Sequence, residues 1–263
     1  MSDSEHKGSE WVGAPRHWRD ISDNPDDLRV VEWRDRQIRA TSLAPLPTYE
    51  DVIAAYCADR RVLDFGAANH GNATSNIAVE STHDLVARYA STVVAVDIVE
   101  FQRPPHSNCI YVTADLLEGK AWLDAGIAPV DVLFAGHVIE HLDSPGKIFR
   151  LAEVALATEG SLIVATPNPL WLPGLLARAD HRNDTVNPDH VALFGAGELT
   201  ELGERNDFTL TGWRYAGRAD MAPAFSTPGG MKRRLVDAAY RIARSRDLAF
   251  AHNHIVATFT RAR

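Results

Sequence analysis

Five short runs rich in Val, Ile, Leu and Ala limit what this chain can fold into. They are "RVLDF" (61–65), "TVVAVD" (92–97), "CIYVTAD" (109–115), "VDVLFAG" (130–136) and "GSLIVATPN" (160–168). Stretches with helical character separate them, at about 74–89 and in "PGKIFRLAEVALA", where Ile148, Leu151, Ala152 and Ala155 share one face. Runs that are apolar on consecutive residues, not alternate ones, suit strands buried on both sides. Strands of that kind alternating with helices predict an α/β fold with a mostly parallel sheet. A helix over about 49–58 leads into the first strand, and Pro45 and Pro47 break any longer helix there.

After Asn168 the rhythm stops. "PLWLPGLLARADHRNDTVNPDH" holds Pro169, Pro173 and Pro188 and predicts a lid insertion over 169–194, of which 169–190 is expected to order when an acceptor binds. A helix over 195–208, a strand over 209–215, a basic amphipathic helix over 229–246 and a closing strand over 253–260 complete the reading. The chain has 263 residues, of which 45% are hydrophobic, enough for one sizeable core. A net charge of -8 argues against bulk nucleic acid or an anionic membrane as partner. No apolar run approaches the roughly 20 residues of a membrane span, and "MSDSEHKGSEW" is not a secretory signal, so the cytoplasm is the expected compartment. Cys57 and Cys109 supply neither a metal pair nor a disulfide framework.

The chemistry begins at "RVLDFGAANHG". In doubly wound sheets ligands sit beyond the carboxyl ends of the strands, where this turn falls. Gly66 can take dihedrals closed to other residues and lets a ligand approach the backbone. Asp97 ends the second run, where a carboxylate can accept both hydroxyls of a ribose. Asp115 ends the third, where it can accept from an adenine amine. A nicotinamide dinucleotide fits less well. It needs a pyrophosphate over three close glycines, and Ala68 and His70 would crowd it.

With these residues in place, the chain resembles the class I S-adenosylmethionine-dependent methyltransferases over roughly residues 48–215. Asp64, Gly66, Ala68, His70 and Gly71 stand where the family has Asp/Glu-x-Gly-x-Gly-x-Gly, with two glycines replaced. "HVIEHL" and "GSLIVATPNP" are similar to its later "E-x-x-E-H-L" and "G-G-x-L-x-x-x-x-P-N" stretches. The resemblance implies a Rossmann-like seven-stranded sheet with helices on both faces, in a single methyltransferase domain over 1–263. Within it, 1–47 is an N-terminal extension, 48–168 the cofactor-binding core, 169–194 the lid and 195–263 the C-terminal part of the sheet. It also implies cofactor contacts from Asp64, Gly66, Ala68, Asn69, Gly71, Asp97, Ile98, Asp115, Leu116 and Gly136.

"HVIEHL" and the later "DH" are similar in spacing to the small-RNA 2'-O-methyltransferases, which bind a divalent metal; ubiquinone-type O-methyltransferases share the E-x-x-E-H. The resemblance implies Glu140, His141 and His190 as metal ligands, with His137, in place of the first Glu, as general base or fourth ligand. Nitrogen-rich ligation favours Mn, Fe, Co or Zn over Mg, although the RNA enzymes show that this preference is not absolute; Mg or Mn is the expected ion. The expected reaction is methyl transfer from S-adenosylmethionine to a hydroxyl of a small molecule, a saccharide or natural-product precursor. Trp171 is a candidate ring for stacking on a sugar. RNA 2'-O-methylation and a non-catalytic S-adenosylmethionine-binding scaffold are the alternatives, and the sequence leaves a homo-oligomer open. His252 and His254 read as structural or exposed residues flanking an edge strand.

Overall fold

A computed structural model describes residues 15, 17–68, 81–101, 106–115, 117, 122, 126–172, 174–175, 187–217, 238, 241–242, 246 and 248–262. The chain divides into two compact units, Met1–Ala40 and Thr41–Arg263. In the first, a 3-10 turn at Trp18–Asp20, capped by the His17 side chain, precedes α1 (Leu28–Ala40). The sequence reading placed no helix there.

The second unit is built on seven strands: β1 (Arg61–Phe65), β2 (Thr92–Asp97), β3 (Cys109–Thr113), β4 (Val130–Gly136), β5 (Leu156–Pro167), β6 (Phe208–Ala216) and β7 (His254–Arg261). They lie in the order β3-β2-β1-β4-β5-β7-β6. The first five in that order are mutually parallel, and β7 runs antiparallel to both β5 and β6. This is the mostly parallel, seven-stranded Rossmann-like sheet that the alternating runs predicted. β1 sits between β2 and β4, so the chain leaves it in opposite directions and a crevice opens beyond the β1 and β4 tips.

The helices cover the sheet because β1, β2 and β4 are buried on consecutive residues. On one face, Val52, Ile53 and Cys57 of α2 (Tyr49–Cys57) and Val86 of α3 (Thr82–Tyr89) join Val62, Val132, Phe134 and Ile163 in one buried cluster. On the other, Phe149 of α4 (Lys147–Ala155) meets Phe208 and Phe259 edge-on, and Phe259 pairs with Leu162, which alternates with Ile163. α5 (Ala196–Glu204) precedes β6. Both α2 and α3 start at a reciprocal capping box, Thr48–Asp51 and Ser81–Asp84.

Several boundaries differ from expectation. β3 stops at Thr113, and Asp115 lies just beyond it, its Oδ1 accepting from the Leu117 N–H at 3.0 Å. β5 begins at Leu156, not at residue 160, because Leu156 pairs with Val130 across a register shift. The helix expected over 195–208 ends at Glu204. β7 is not an edge strand, since it lies between β5 and β6. The expected helical residues 74–80, most of the basic helix and lid residues 173 and 176–186 lie outside the described residues.

Gly66 carries the turn after β1. Its φ is +85°, and a Cβ there would collide with the Val138 side chain. Gly66→Ala is therefore expected to lower stability by about 1–3 kcal/mol, the range for a strained left-handed residue, read from urea unfolding.

Candidate active site

A cavity of about 680 Å³ lies across the tips of β1 to β4. Asp64, Gly66, Asp97, Ile98, Asp115, Gly136, His137, Glu140, His141 and His190 all line it, so residues expected to bind cofactor and residues expected to do chemistry share one space. Ala68 is not among the residues that line it; its N–H donates to Asp97 Oδ2 at 2.8 Å, and the Val99 N–H donates to Asp97 Oδ1 at 3.1 Å. The carboxylate at the β2 tip thus holds the turn after β1 in place while facing the cavity. Asn69, His70, Gly71 and Leu116 lie outside the described residues.

The β4 tip is built differently. Gly136 admits no side chain: a Cβ would stand 2.6 Å from the Tyr49 hydroxyl and 2.8 Å from Phe134. His137 follows with a φ of +58°, uncommon for a residue with a Cβ and a mark of local strain. Its N–H is fixed to the Ala165 carbonyl at 2.8 Å. Its Nδ1 lies 3.3 Å from Glu140 Oε1. Glu140 is fully buried, and its Oε2 accepts from the Thr166 hydroxyl at 2.9 Å. Burial pushes the Glu140 carboxyl up, but the His137 ring, its own backbone N–H and Thr166 together bring it below the usual carboxylate range. A neutral His137 that donates from Nδ1 to this carboxylate leaves Nε2 able to accept a proton.

Glu140, His141 and His190 each offer a ligand atom, all within 4.8 Å of one another. The His141 and His190 rings meet edge-on at 4.8 Å. His141 Nδ1 lies 3.0 Å from an Asp189 carboxylate oxygen, which orients the ring and leaves Nε2 for a ligand. Burial lowers the His190 pKa, with His141 and His137 acting in the same direction against Glu140 and Asp189. A neutral imidazole is the form that binds metal.

Three residues beside the site were not singled out in the sequence, and a fourth, His254, was placed differently. Asp189 stands beside His190 in "DH" and could have been noticed there. Thr166 lies inside an apolar strand, and Tyr49 begins a helix far from the motifs. His254 was read as a structural or exposed residue with no partner, yet its ring lies 4.7 Å from those of His137 and Tyr49. It gets there because β7 pairs with β5 and sets His254 beside Pro167.

Burial, with the His137 charge, lowers the His254 pKa to about 3. A histidine that folds with a depressed pKa must give up its proton to fold. Its contribution is fully present above the unfolded value near 6.5 and is lost as pH falls toward about 3. The wild type is expected to lose stability across this window faster than His254→Phe, by up to about 1.4 kcal/mol per pH unit, read from thermal unfolding of both proteins at several pH values.

A family profile described as a methyltransferase domain matches residues 32–212. A protein of Mycobacterium tuberculosis named "Probable S-adenosylmethionine-dependent methyltransferase" is 31% identical over 181 residues, covering 68% of this chain and 56% of its own length. A similarly named protein of Mycolicibacterium smegmatis is 31% identical over 175 residues, 64% of this chain and 61% of its own length. The chain therefore spans little more than half the length of the curated relatives it matches. Among solved structures, a chain in the complex between the Haloferax volcanii Trm112 methyltransferase activator and a methyltransferase superposes with a TM-score of 0.50. It is 9% identical and covers 90% of this chain and 97% of that one, a likeness of fold. By the matched domain and the identity to these relatives, the chain belongs to the S-adenosylmethionine-dependent methyltransferases.

Proposed function

We propose that this protein transfers the methyl group of S-adenosylmethionine to a hydroxyl of a small molecule, a saccharide or a natural-product precursor. The observation that carries this is the His137–Glu140 pair at the β4 tip. A hydroxyl is a weak nucleophile until it loses its proton, and a ring held through Nδ1 presents Nε2 to take it. With Asp97, Asp115 and His137 lining one cavity, a nucleoside held by the two carboxylates would turn its sulfonium end toward β1 and β4, on the side of His137.

A divalent ion fits the residues present. Two imidazoles and one carboxylate converge, and one imidazole is oriented by Asp189. Glu140, His141 and His190 would hold it. When bound, such an ion lowers the pKa of an alcohol. The protein's own part is to aim the acceptor oxygen at the methyl group and to accept its proton at His137. The cavity wall favours a polar acceptor: His137, His141, Asn187, Asp189 and His190 line it, and each carries polar atoms that can hydrogen-bond a hydroxyl.

The test is methyl transfer from labelled S-adenosylmethionine to a panel of methyl glycosides, polyols and phenols, with and without divalent ions. EDTA is expected to abolish turnover and one divalent ion to restore it. His190→Ala is expected to lose turnover while keeping cofactor affinity. His137→Ala is expected to cost about 10²–10⁴ in rate, less at high pH, where the acceptor ionises unaided. A rate indifferent to EDTA removes the metal and leaves His137 as base. Methylation of amines or thiols but not hydroxyls in a matching panel removes the O-methyl reading. Separately, Asp97→Ala is expected to weaken S-adenosylmethionine binding by about 1.5–3 kcal/mol, measured by calorimetry.

A further inference from the structure

A second histidine, unrelated to the β4 tip, is wired into the cofactor side of the cavity. Asp64 and His83 both line the cavity and are both buried. His83 Nδ1 lies 2.8 Å from Asp64 Oδ2, and His83 Nε2 lies 3.2 Å from the Tyr111 hydroxyl. That hydroxyl already accepts the His106 backbone N–H at 2.9 Å. An ionised Asp64 carboxylate can only accept, so the ring's proton sits on Nδ1, facing Asp64, and Nε2 is left to accept the Tyr111 hydroxyl proton. The Phe101, His106 and Tyr111 rings enclose the imidazole, with centroids 6.4, 5.4 and 5.6 Å away. A chain of hydrogen bonds thus runs from β3 through the first turn of α3 to β1, and Tyr111, its far end, is outside the cavity lining.

The sheet order gives this chain a purpose. Across the tips in the order β3-β2-β1-β4 stand Asp115, Asp97, Asp64 and Gly136. A nucleoside held by the first two leaves the amino-acid end of the cofactor, with its ammonium and sulfonium cations, over β1 and β4. Asp64 is the β1 carboxylate there. The hydrogen bond from His83 to Oδ2 holds that oxygen on the α3 side. We propose that His83, backed by Tyr111 at Nε2, is a positioning residue that holds the Asp64 carboxylate toward the cationic amino-acid end of S-adenosylmethionine. The proposal rests on the S-adenosylmethionine reading but not on the acceptor or the metal.

Calorimetry on the full chain tests it with three probes: S-adenosylmethionine, S-adenosylhomocysteine and 5'-methylthioadenosine, which keeps the nucleoside and lacks the amino acid. His83→Asn keeps an N–H donor near the Nδ1 position. His83→Gln moves the amide toward Tyr111, and Tyr111→Phe removes the hydrogen bond at Nε2 with little change of shape. The expected result is a roughly tenfold rise in Kd for the two amino-acid-bearing probes in His83→Gln and Tyr111→Phe, the size of one hydrogen bond to a charged group. His83→Asn is expected to rescue most of that loss, and methylthioadenosine affinity to stay within about twofold of wild type throughout. Thermal unfolding of each variant separates binding from folding. If all three probes weaken together, or if the melting temperature falls while every Kd is unchanged, His83 is only structural and the proposal is overturned. If the His83 variants do not fold, Tyr111→Phe decides by the same criteria. Wild type that binds none of the probes overturns the S-adenosylmethionine reading itself, a result distinct from any difference between variants.

Discussion

The arrangement of the site depends on one buried carboxylate. Glu140 is fully enclosed, and its oxygens meet His137 on one side and Thr166 of β5 on the other. Its backbone carbonyl accepts from the Val191 N–H at 2.8 Å, which ties residues 187–192 to the β4 tip. An ion in the interior is tolerated only when its partners are in place, and removing one partner commonly costs about 3–5 kcal/mol. The geometry of β4, β5 and residues 187–192 around this side chain is therefore set together. That coupling brings His190, distant in sequence, to the side of His141.

The cavity has two halves with different physics. Over β2 and β3 the groups are exposed or half-buried carboxylates, suited to hydroxyls and amines of a nucleoside. Over β4 they are the imidazoles of His137, His141 and His190 and the buried Glu140 carboxylate, polar groups that suit a polar guest. β1 lies between the halves, and Asp64 faces both. The strain at His137 belongs to the second half. A left-handed residue directly after a strand turns the chain sharply, and the Ala165 carbonyl holds it there.

The glycine replaced by Ala68 in the turn after β1 is of less consequence than it looks. Gly66 is the position that cannot carry a side chain, because of its positive φ and the nearness of Val138. Ala68 keeps its role through its backbone N–H alone, by donating to Asp97. A sulfonium nucleoside has no pyrophosphate to cradle, so the demand for bare backbone is smaller than in a dinucleotide site.

The sequence by itself determined the strands and the acids at their tips. Runs buried on both faces are apolar on every residue, and a carboxylate ending such a run has only the crevice to face. Residues 61–65, 92–97 and 130–136 are strands with the expected bounds, and Asp97 and Asp115 line the cavity. The pairing of "HVIEHL" with "DH" was legible only through the resemblance in spacing, and the structure brings Glu140, His141 and His190 together. Only the tertiary structure decided the partners of His83, Tyr49, Thr166 and His254. Their neighbours come from strands and helices distant in sequence, and periodicity says which face a residue takes, not which strand lies next to it. β7 shows the reason most plainly. Its apolar alternation suits an edge or a central position equally, and insertion between β5 and β6 is what carries His254 to His137.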